Sequence, residues 1–118
     1  MNRVIHFEIP AENPVKLVNF YKNVFNWEIT KWDGPQEYWL VKTGEHFEPG
    51  IDGAIVRASQ EFNTIVNTID VPNVDEYINK IILNGGEILF DKMTIPNVGL
   101  LAYARDCEGT VFGIIQNF

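Results

Sequence analysis

The chain is poor in the side chains that cross-linked or strongly nucleophilic proteins lean on: among 118 residues there is one cysteine and there are two histidines. A lone thiol forms no disulfide within the chain, which fits a reducing compartment. Cys107 lies in the turn-like stretch RDCEGT between Asp106 and Glu108 and reads as an inert turn residue. Basic residues are also scarce, nine against sixteen acidic ones for a net charge of -7, and no basic stripe is present. The field of such a molecule repels phosphate backbones, so nucleic acid is not an expected partner. No apolar run approaches the roughly 18 residues that a membrane helix needs, so no membrane role is expected. The start lacks the charged segment and apolar stretch of a secretory leader, with Met1 leading within three residues into a strand-like run. The expected location is therefore cytoplasmic.

What the sequence does contain is 46% hydrophobic and 21% charged residues, the balance of a globular domain, in a length that buries a core without staples. The run VIHFEIP, residues 4–10, alternates as a strand: Ile5, Phe7 and Ile9 share one face, Val4, His6 and Glu8 the other. An imidazole and a carboxylate on one strand face, about 6.6 Å apart, form half of a possible metal or acid–base site. The question is whether the rest of the chain supplies the other half.

The chain is written twice. A strand over residues 3–9 is followed by the helical stretch NPVKLVNFYKNVF and three strand-like runs, WEITKW, EYWLVKT and IDGAIVR. The same order returns in NTIVNTID, NVDEYINKIILN, GEILFDK, GLLAYAR and TVFGIIQ, so both halves read as βαβββ. In the first helix Asn13 is a good N-cap and Pro14 suits the first turn, and Leu17, Phe20, Tyr21, Val24 and Phe25 form a stripe expected to lie on a sheet. In the second, Asn73 caps, Asp75 and Glu76 complement the positive helix start, Val74, Tyr77, Ile78 and Ile81 form the stripe, and Gly85 is placed to take a left-handed stop. Matching Asn13 to Asn73 gives an offset of 60 residues, which pairs Ile5 with Ile65 and Ile9 with Ile69. Neither half buries its helix stripe alone, so one domain over residues 1–118 is expected, with modules of about 1–58 and 62–118.

With these residues in view, the chain resembles the vicinal oxygen chelate superfamily, which contains glyoxalase I, bleomycin-resistance proteins and extradiol dioxygenases. The resemblance is carried by HFEIPAENPVKLVNFYKNVFNWEI and by GLLAYARDCEGTVFGIIQ and covers nearly the whole chain. The family usually has Gly at the position of Asn26, Pro at that of Cys107 and Asn at that of Thr110. The resemblance implies an α+β fold of two βαβββ modules forming a curled mixed sheet around a central cup, with helices outside. It further implies, for metal-dependent members, four ligand positions: the first strand and the last strand of each module.

Those positions correspond to His6, Val66, Ala54 and Gly113. Valine, alanine and glycine side chains offer no lone pair, so His6 is the only surviving ligand position and the standard divalent-metal site is expected to be absent. No cofactor is expected. A noncanonical divalent-metal site at His6 and Glu8 is the alternative, completed by Glu45, His46 or Glu48 from the loop TGEHFEPG. His6 reads either as a neutral histidine hydrogen-bonded to a neighbour or as a catalytic group with Glu8, which in turn reads as a general base or as a partner of His6 or Arg57. Small residues where ligands would stand leave volume, and the expected ligand-binding set is His6, Glu8, Ala54, Val66, Tyr103, Val111 and Gly113, with Ile115 nearby. Of Tyr38, Trp39 and Tyr103 in the middle strands, some are expected to face the pocket.

Three functions follow as expectations. The first is a small-molecule-binding protein in the manner of the bleomycin-resistance proteins. The second is an enzyme, a glyoxalase-like lyase or isomerase or a dioxygenase-type metalloenzyme, or an acid–base catalyst using Glu8 and His6. The third is a non-catalytic accessory protein whose strand edges pair in a homodimer.

Overall fold

The computed structural model describes residues 2–118. The chain divides into two compact units, one running from His6 to Ile65 and the other from Val66 to Phe118 together with the residues up to Ile5. The boundary thus falls a few residues later than the expected modules of about 1–58 and 62–118, and the first residues group with the second unit. There the Asp70 amide donates to the Arg3 carbonyl at 2.9 Å.

The first unit contains β1 (Val4–Ala11, from His6 on), α1 (Pro14–Phe25), β2 (Glu28–Lys31), β3 (Tyr38–Lys42) and β4 (Asp52–Arg57). Its strands lie in the order β2, β3, β4, β1, with β1 and β4 parallel and the other pairs antiparallel. The period-2 pattern read in the sequence decides the two faces. Phe7, Ile9 and Ala11 pack with Ile29, Trp39, Val41 and Ile55 against Val18, Leu17 and Tyr21 of α1. His6 and Glu8 project from the other face. Gly53 is required where β4 passes β1: a Cβ there would stand 2.4 Å from the Phe7 carbonyl oxygen and 2.6 Å from its ring. Ile55 is completely buried in this core, and removing its side chain to alanine costs about 2–5 kcal/mol.

Helix α1 starts as its cap predicts, with Asn13 Oδ1 accepting from the Lys16 amide at 3.2 Å. It ends on Asn26 in the left-handed region at φ 60. That conformation suits glycine, and asparagine is the side chain that tolerates it best. The predicted stripe is buried in part: Leu17 and Tyr21 pack on the core beside the buried Val18, and Pro14 is buried too, whereas Phe20, Val24 and Phe25 are each more than half exposed. The helix docks by its N-terminal half, and its last aromatics pack on one another instead. Tyr21 and Trp27 stack at 4.7 Å with their planes 3° apart, and Phe25 lies 5.7 Å from Trp27.

The second unit contains β5 (Val66–Asp70), α2 (Val74–Leu83), β6 (Glu87–Ile88), β7 (Met93–Ile95), β8 (Gly99–Arg105) and β9 (Val111–Asn117). Strand β5 pairs β9 in parallel, β9 pairs β8 antiparallel, and both β6 and β7 pair β8. The run GEILFDK, expected as one strand, is a two-residue strand, and the following MTI forms a further short strand that the sequence pattern does not predict. The stripe of α2 is the predicted one: Val74, Tyr77, Ile78 and Ile81 pack with Val71, Ala102 and Ile114. Asn73 Oδ1 caps the Glu76 amide at 2.9 Å, Gly85 takes φ 90, and the Gly86 amide closes on the Ile81 carbonyl at 2.9 Å. Before β9, Asp106 Oδ1 accepts from the Glu108 and Thr110 amides at 2.9 and 3.0 Å. These bonds use backbone donors, so the turn forms with Cys107 and Thr110 in it as well as it would with Pro and Asn.

Candidate functional site

The parallel register of β1 and β4 sets His6 opposite Asp52 and Glu8 opposite Ala54, and the antiparallel register of β3 and β4 sets Ala54 opposite Leu40 and Val56 opposite Tyr38. Registered partners project from the same side of a sheet. His6, Glu8, Tyr38, Leu40, Asp52, Ala54 and Val56 therefore share the face turned away from α1.

Tyr38 spans that face. Its hydroxyl lies 3.0 Å from His6 Nε2 and is also hydrogen-bonded to the Glu8 side chain. Starting from β3, the ring reaches β1 by crossing β4 between Val56 and Asp52, where the intervening same-face residue is Ala54. A methyl group there is compatible with the crossing, and Ala54 is completely buried. Glu8 is 7% exposed, so its carboxyl group requires a polar partner, and the phenol supplies one. Burial, then the Glu8 charge, then the hydrogen bond to Glu8 push the Tyr38 phenol well above the ordinary tyrosine range. The Tyr38 hydroxyl thus serves both groups, and the direction of its bond to His6 Nε2 follows the imidazole tautomer. Burial lowers the His6 pKa from its ordinary value, partly offset by Asp52 across the register pair, so His6 is neutral near neutral pH.

The loop from β3 to β4 is tied to the same face by Asp52. Its Oδ1 accepts from the Thr43 amide at 2.8 Å, and Thr43 Oγ1 donates to the Ile51 carbonyl at 2.7 Å. The loop encloses a polar hollow of about 110 Å³ lined by Thr43, Glu45, His46, Glu48 and Asp52 among others. Its acidic side chains are committed locally: Glu48 Oε1 accepts from the Glu45 amide at 2.7 Å, and Glu45 pairs Lys42 at 3.5 Å. The His46 ring meets Phe47 edge-on at 5.6 Å. Among the described residues, no three His, Cys, Asp or Glu side chains converge to hold a metal ion. Arg57, one of the partners expected for Glu8, instead pairs Glu37 and donates to the Glu12 carbonyl at 2.8 Å. It sits at odd register with Glu8, on the α1 side of the sheet.

In the second unit the corresponding positions are occupied differently. Thr68 is opposite Gly113, and Gly113 is opposite Tyr103, as Glu8 is opposite Ala54 and Ala54 opposite Leu40. Val66, Thr68 and Val111 are buried and Tyr103 half-buried. A Cβ on Gly113 would stand 2.9 Å from Thr68 Oγ1 and 3.4 Å from Tyr103 Cε1. The space a ligand side chain would need there is filled by Thr68.

The structure thus brings His6, Glu8 and Ala54 together with Tyr38 and Asp52 on one face, and Val66, Tyr103, Val111 and Gly113 together with Thr68 on a face of the other unit. Sequence reasoning missed Asp52 and Thr68 and did not join Tyr38 to His6. The 60-residue offset applied to Glu8 points to Thr68 directly, and nothing in the sequence signals the Tyr38 bridge.

No protein-family model matches the chain, and no curated protein sequence matches it. Solved structures do. A methylmalonyl-CoA epimerase from Streptomyces coelicolor, in complex with 2-nitronate-propionyl-CoA, is 15% identical over 98% of this chain and 94% of that one, with a TM-score of 0.71. A hypothetical protein from Bacillus halodurans is 15% identical over 97% and 93%, with a TM-score of 0.72. Methylmalonyl-CoA epimerase from Mycobacterium tuberculosis is 10% identical over 94% and 85%, with a TM-score of 0.64. The epimerases belong to the vicinal oxygen chelate superfamily. The chain has the fold of that superfamily.

Proposed function

We propose that the chain binds a small organic molecule on the His6, Tyr38 and Glu8 face of its first unit, without the divalent metal that chelating members of the fold family use. The observation that supports this reading is the engagement of His6 Nε2 by the Tyr38 hydroxyl at 3.0 Å. The donor set does not fit a metal: of the four family positions, Val66, Ala54 and Gly113 carry no donor atom, and the remaining imidazole has its Nε2 engaged by a phenol. A zinc-like ion held against water needs about three or four protein donors. A half-buried polar network flanked by Leu40 and Val56 is instead the composition of an organic-ligand surface, apolar with a few placed polar groups. The test is a thermal-shift and calorimetric screen of aromatic drugs and small alcohols, amines and acids against the wild-type chain. The reading expects saturable stabilisation by at least one class, lost in His6→Ala and Tyr38→Phe, and is abandoned if no compound stabilises the protein saturably.

A second reading, an acid–base enzyme of the glyoxalase-like lyase or isomerase kind, is favoured by one observation, the near-complete burial of Glu8 on the same face as an imidazole. Turnover of thiohemiacetals or thioesters that disappears in Glu8→Gln, with binding retained, distinguishes it from binding alone. We further propose a cytoplasmic homodimer, supported by the apolar surface that Phe20, Val24 and Phe25 leave exposed on α1. Sedimentation of the wild type against Phe20→Ser tests the dimer.

A further inference from the structure

The contact between Tyr38 and His6 crosses β4 on one face of the first unit, and a second contact crosses the same strand on the other face. Arg57, the last residue of β4, is opposite Ala11 of β1 in the parallel register, which sets it on the α1 side. From there its guanidinium grips both neighbouring strands. Nε and Nη2 donate to the two carboxylate oxygens of Glu37, the Nη2 bond at 3.1 Å, and Nη1 donates to the Glu12 carbonyl at 2.8 Å. Glu37 immediately precedes Tyr38, the first residue of β3, and Glu12 immediately follows Ala11, the last residue of β1. The strands tied by Arg57 are therefore the two whose side chains meet on the opposite face, β3 with Tyr38 and β1 with His6.

Successive residues of a strand point to opposite sides, so holding Glu37 on the α1 side turns Tyr38 toward the His6 side. Two parallel N–H···O bonds fix the orientation of a carboxylate as well as its position. The other supports of this end of β3 act locally. The Trp32 amide donates to the Tyr38 carbonyl at 2.8 Å, the Trp32 ring meets the Tyr38 ring edge-on at 6.1 Å, and Tyr38 is opposite Val56 in the ladder with β4. None of these three contacts reaches β1. Arg57 and Glu37 are each about half exposed, at 52% and 48%, so the pair adds little to global stability and its consequence is placement. We infer that Arg57 is a positioning residue for the site on the opposite face: it sets the Tyr38 hydroxyl against His6 without touching a ligand bound there. The inference rests on the binding role proposed above.

The experiment compares the ring nitrogen resonances of His6 and the urea unfolding midpoints of the wild-type chain, Arg57→Ala, Arg57→Lys, Glu37→Gln and Tyr38→Phe. Arg57→Ala is expected to move the Nε2 resonance most of the way to its position in Tyr38→Phe, with a midpoint close to that of the wild type. Arg57→Lys keeps the charge and loses the fork, so it should resemble Arg57→Ala, and a shift shared by the two is not an effect of charge alone. Glu37→Gln keeps one acceptor oxygen and should move the resonance in the same direction by less. If Arg57→Ala does not fold, Arg57→Lys and Glu37→Gln carry the test by the same criterion. An Nε2 resonance displaced in Tyr38→Phe but unmoved in every Arg57 and Glu37 variant, whatever their midpoints, overturns the inference and leaves the binding role standing. A resonance that ignores Tyr38→Phe as well removes the contact on which both rest.

Discussion

The His6 imidazole and the Tyr38 hydroxyl meet at 3.0 Å although a strand lies between the strands that carry them. Strand β4 sets the small, completely buried Ala54 between Val56, opposite Tyr38, and Asp52, opposite His6. Replacing Ala54 with Leu puts a branched side chain in the path of the Tyr38 ring. The expected result is a loss of about 1–3 kcal/mol, with the His6 ring resonances shifted to those of an imidazole without its phenol partner. Urea denaturation with an NMR spectrum of the variant measures both; an unchanged His6 environment contradicts the crossing.

Removing the bridge itself takes one polar partner from each of two groups on this face. Tyr38→Phe deletes the hydroxyl that serves both Glu8 and His6, and the expected destabilisation is about 1–3 kcal/mol, more than an exposed tyrosine would cost. Glu8→Gln in the Tyr38→Phe background should cost less than the sum of the single changes, because both changes remove the same Glu8–Tyr38 interaction. A double-mutant cycle in urea reads the coupling, and additive losses would show that Glu8 and Tyr38 act independently.

The pH dependence of stability has a sign at each end. His6 has a folded pKa below its ordinary 6.5 because burial disfavours the imidazolium, so the unfolded chain takes up the proton first. Its contribution is fully present above about pH 6.5 and is lost as pH falls through the folded value. Tyr38 has a folded pKa above its ordinary 10.0, so the unfolded chain loses the proton first. That contribution is fully present below about pH 10 and is lost as pH rises toward the folded value. Denaturation midpoints across pH should therefore lose part of the acid slope in His6→Gln and the alkaline slope in Tyr38→Phe; slopes equal to the wild type would refute the burial of these two groups.

Gly113 is filled space rather than a vacant ligand position. Gly113→Ala brings a methyl to 2.9 Å from Thr68 Oγ1, and the expected cost is about 1–3 kcal/mol from overpacking. Thr68→Ala should relieve most of it, so the double variant should be more stable than additivity predicts. Thermal melts of the four proteins test this, and strict additivity would contradict the contact.

The second helix owes its start to a side chain from the far end of its unit. Gln116 Oε1 accepts from the Val74 amide at 2.9 Å, and Val74 is completely buried. Gln116→Ala leaves that amide unpaired and should destabilise by about 1–3 kcal/mol, whereas Gln116→Glu, which keeps the acceptor, should cost less. Equal losses in the two would assign Gln116 a packing role only.

The duplicated order of elements, both N-caps, the left-handed stop at Gly85 and the core stripe of α2 were legible in the sequence because each is a local matter of spacing and backbone preference. So was the equivalence of Ala54 and Gly113, which the registers of β4 against β1 and of β9 against β5 reproduce. The buried face of α1 was legible only in part: Leu17 and Tyr21 pack on the core, while Phe20 and Phe25 satisfy a helical period but stack on neighbouring aromatics. Strand β7, three residues long, was not legible, since its only support is pairing with β8. The candidate site was half legible: strand alternation put His6 and Glu8 on one face, while the phenol that joins them comes from 32 residues away in sequence and reaches them only through tertiary register.

The most direct measurement is the nitrogen spectrum of the His6 ring near neutral pH, recorded alone and with equimolar zinc. A neutral imidazole whose Nε2 is sensitive to Tyr38→Phe and unmoved by zinc is the predicted result. An Nε2 resonance that shifts saturably with zinc and ignores Tyr38→Phe would contradict a site organised around the phenol instead of a metal.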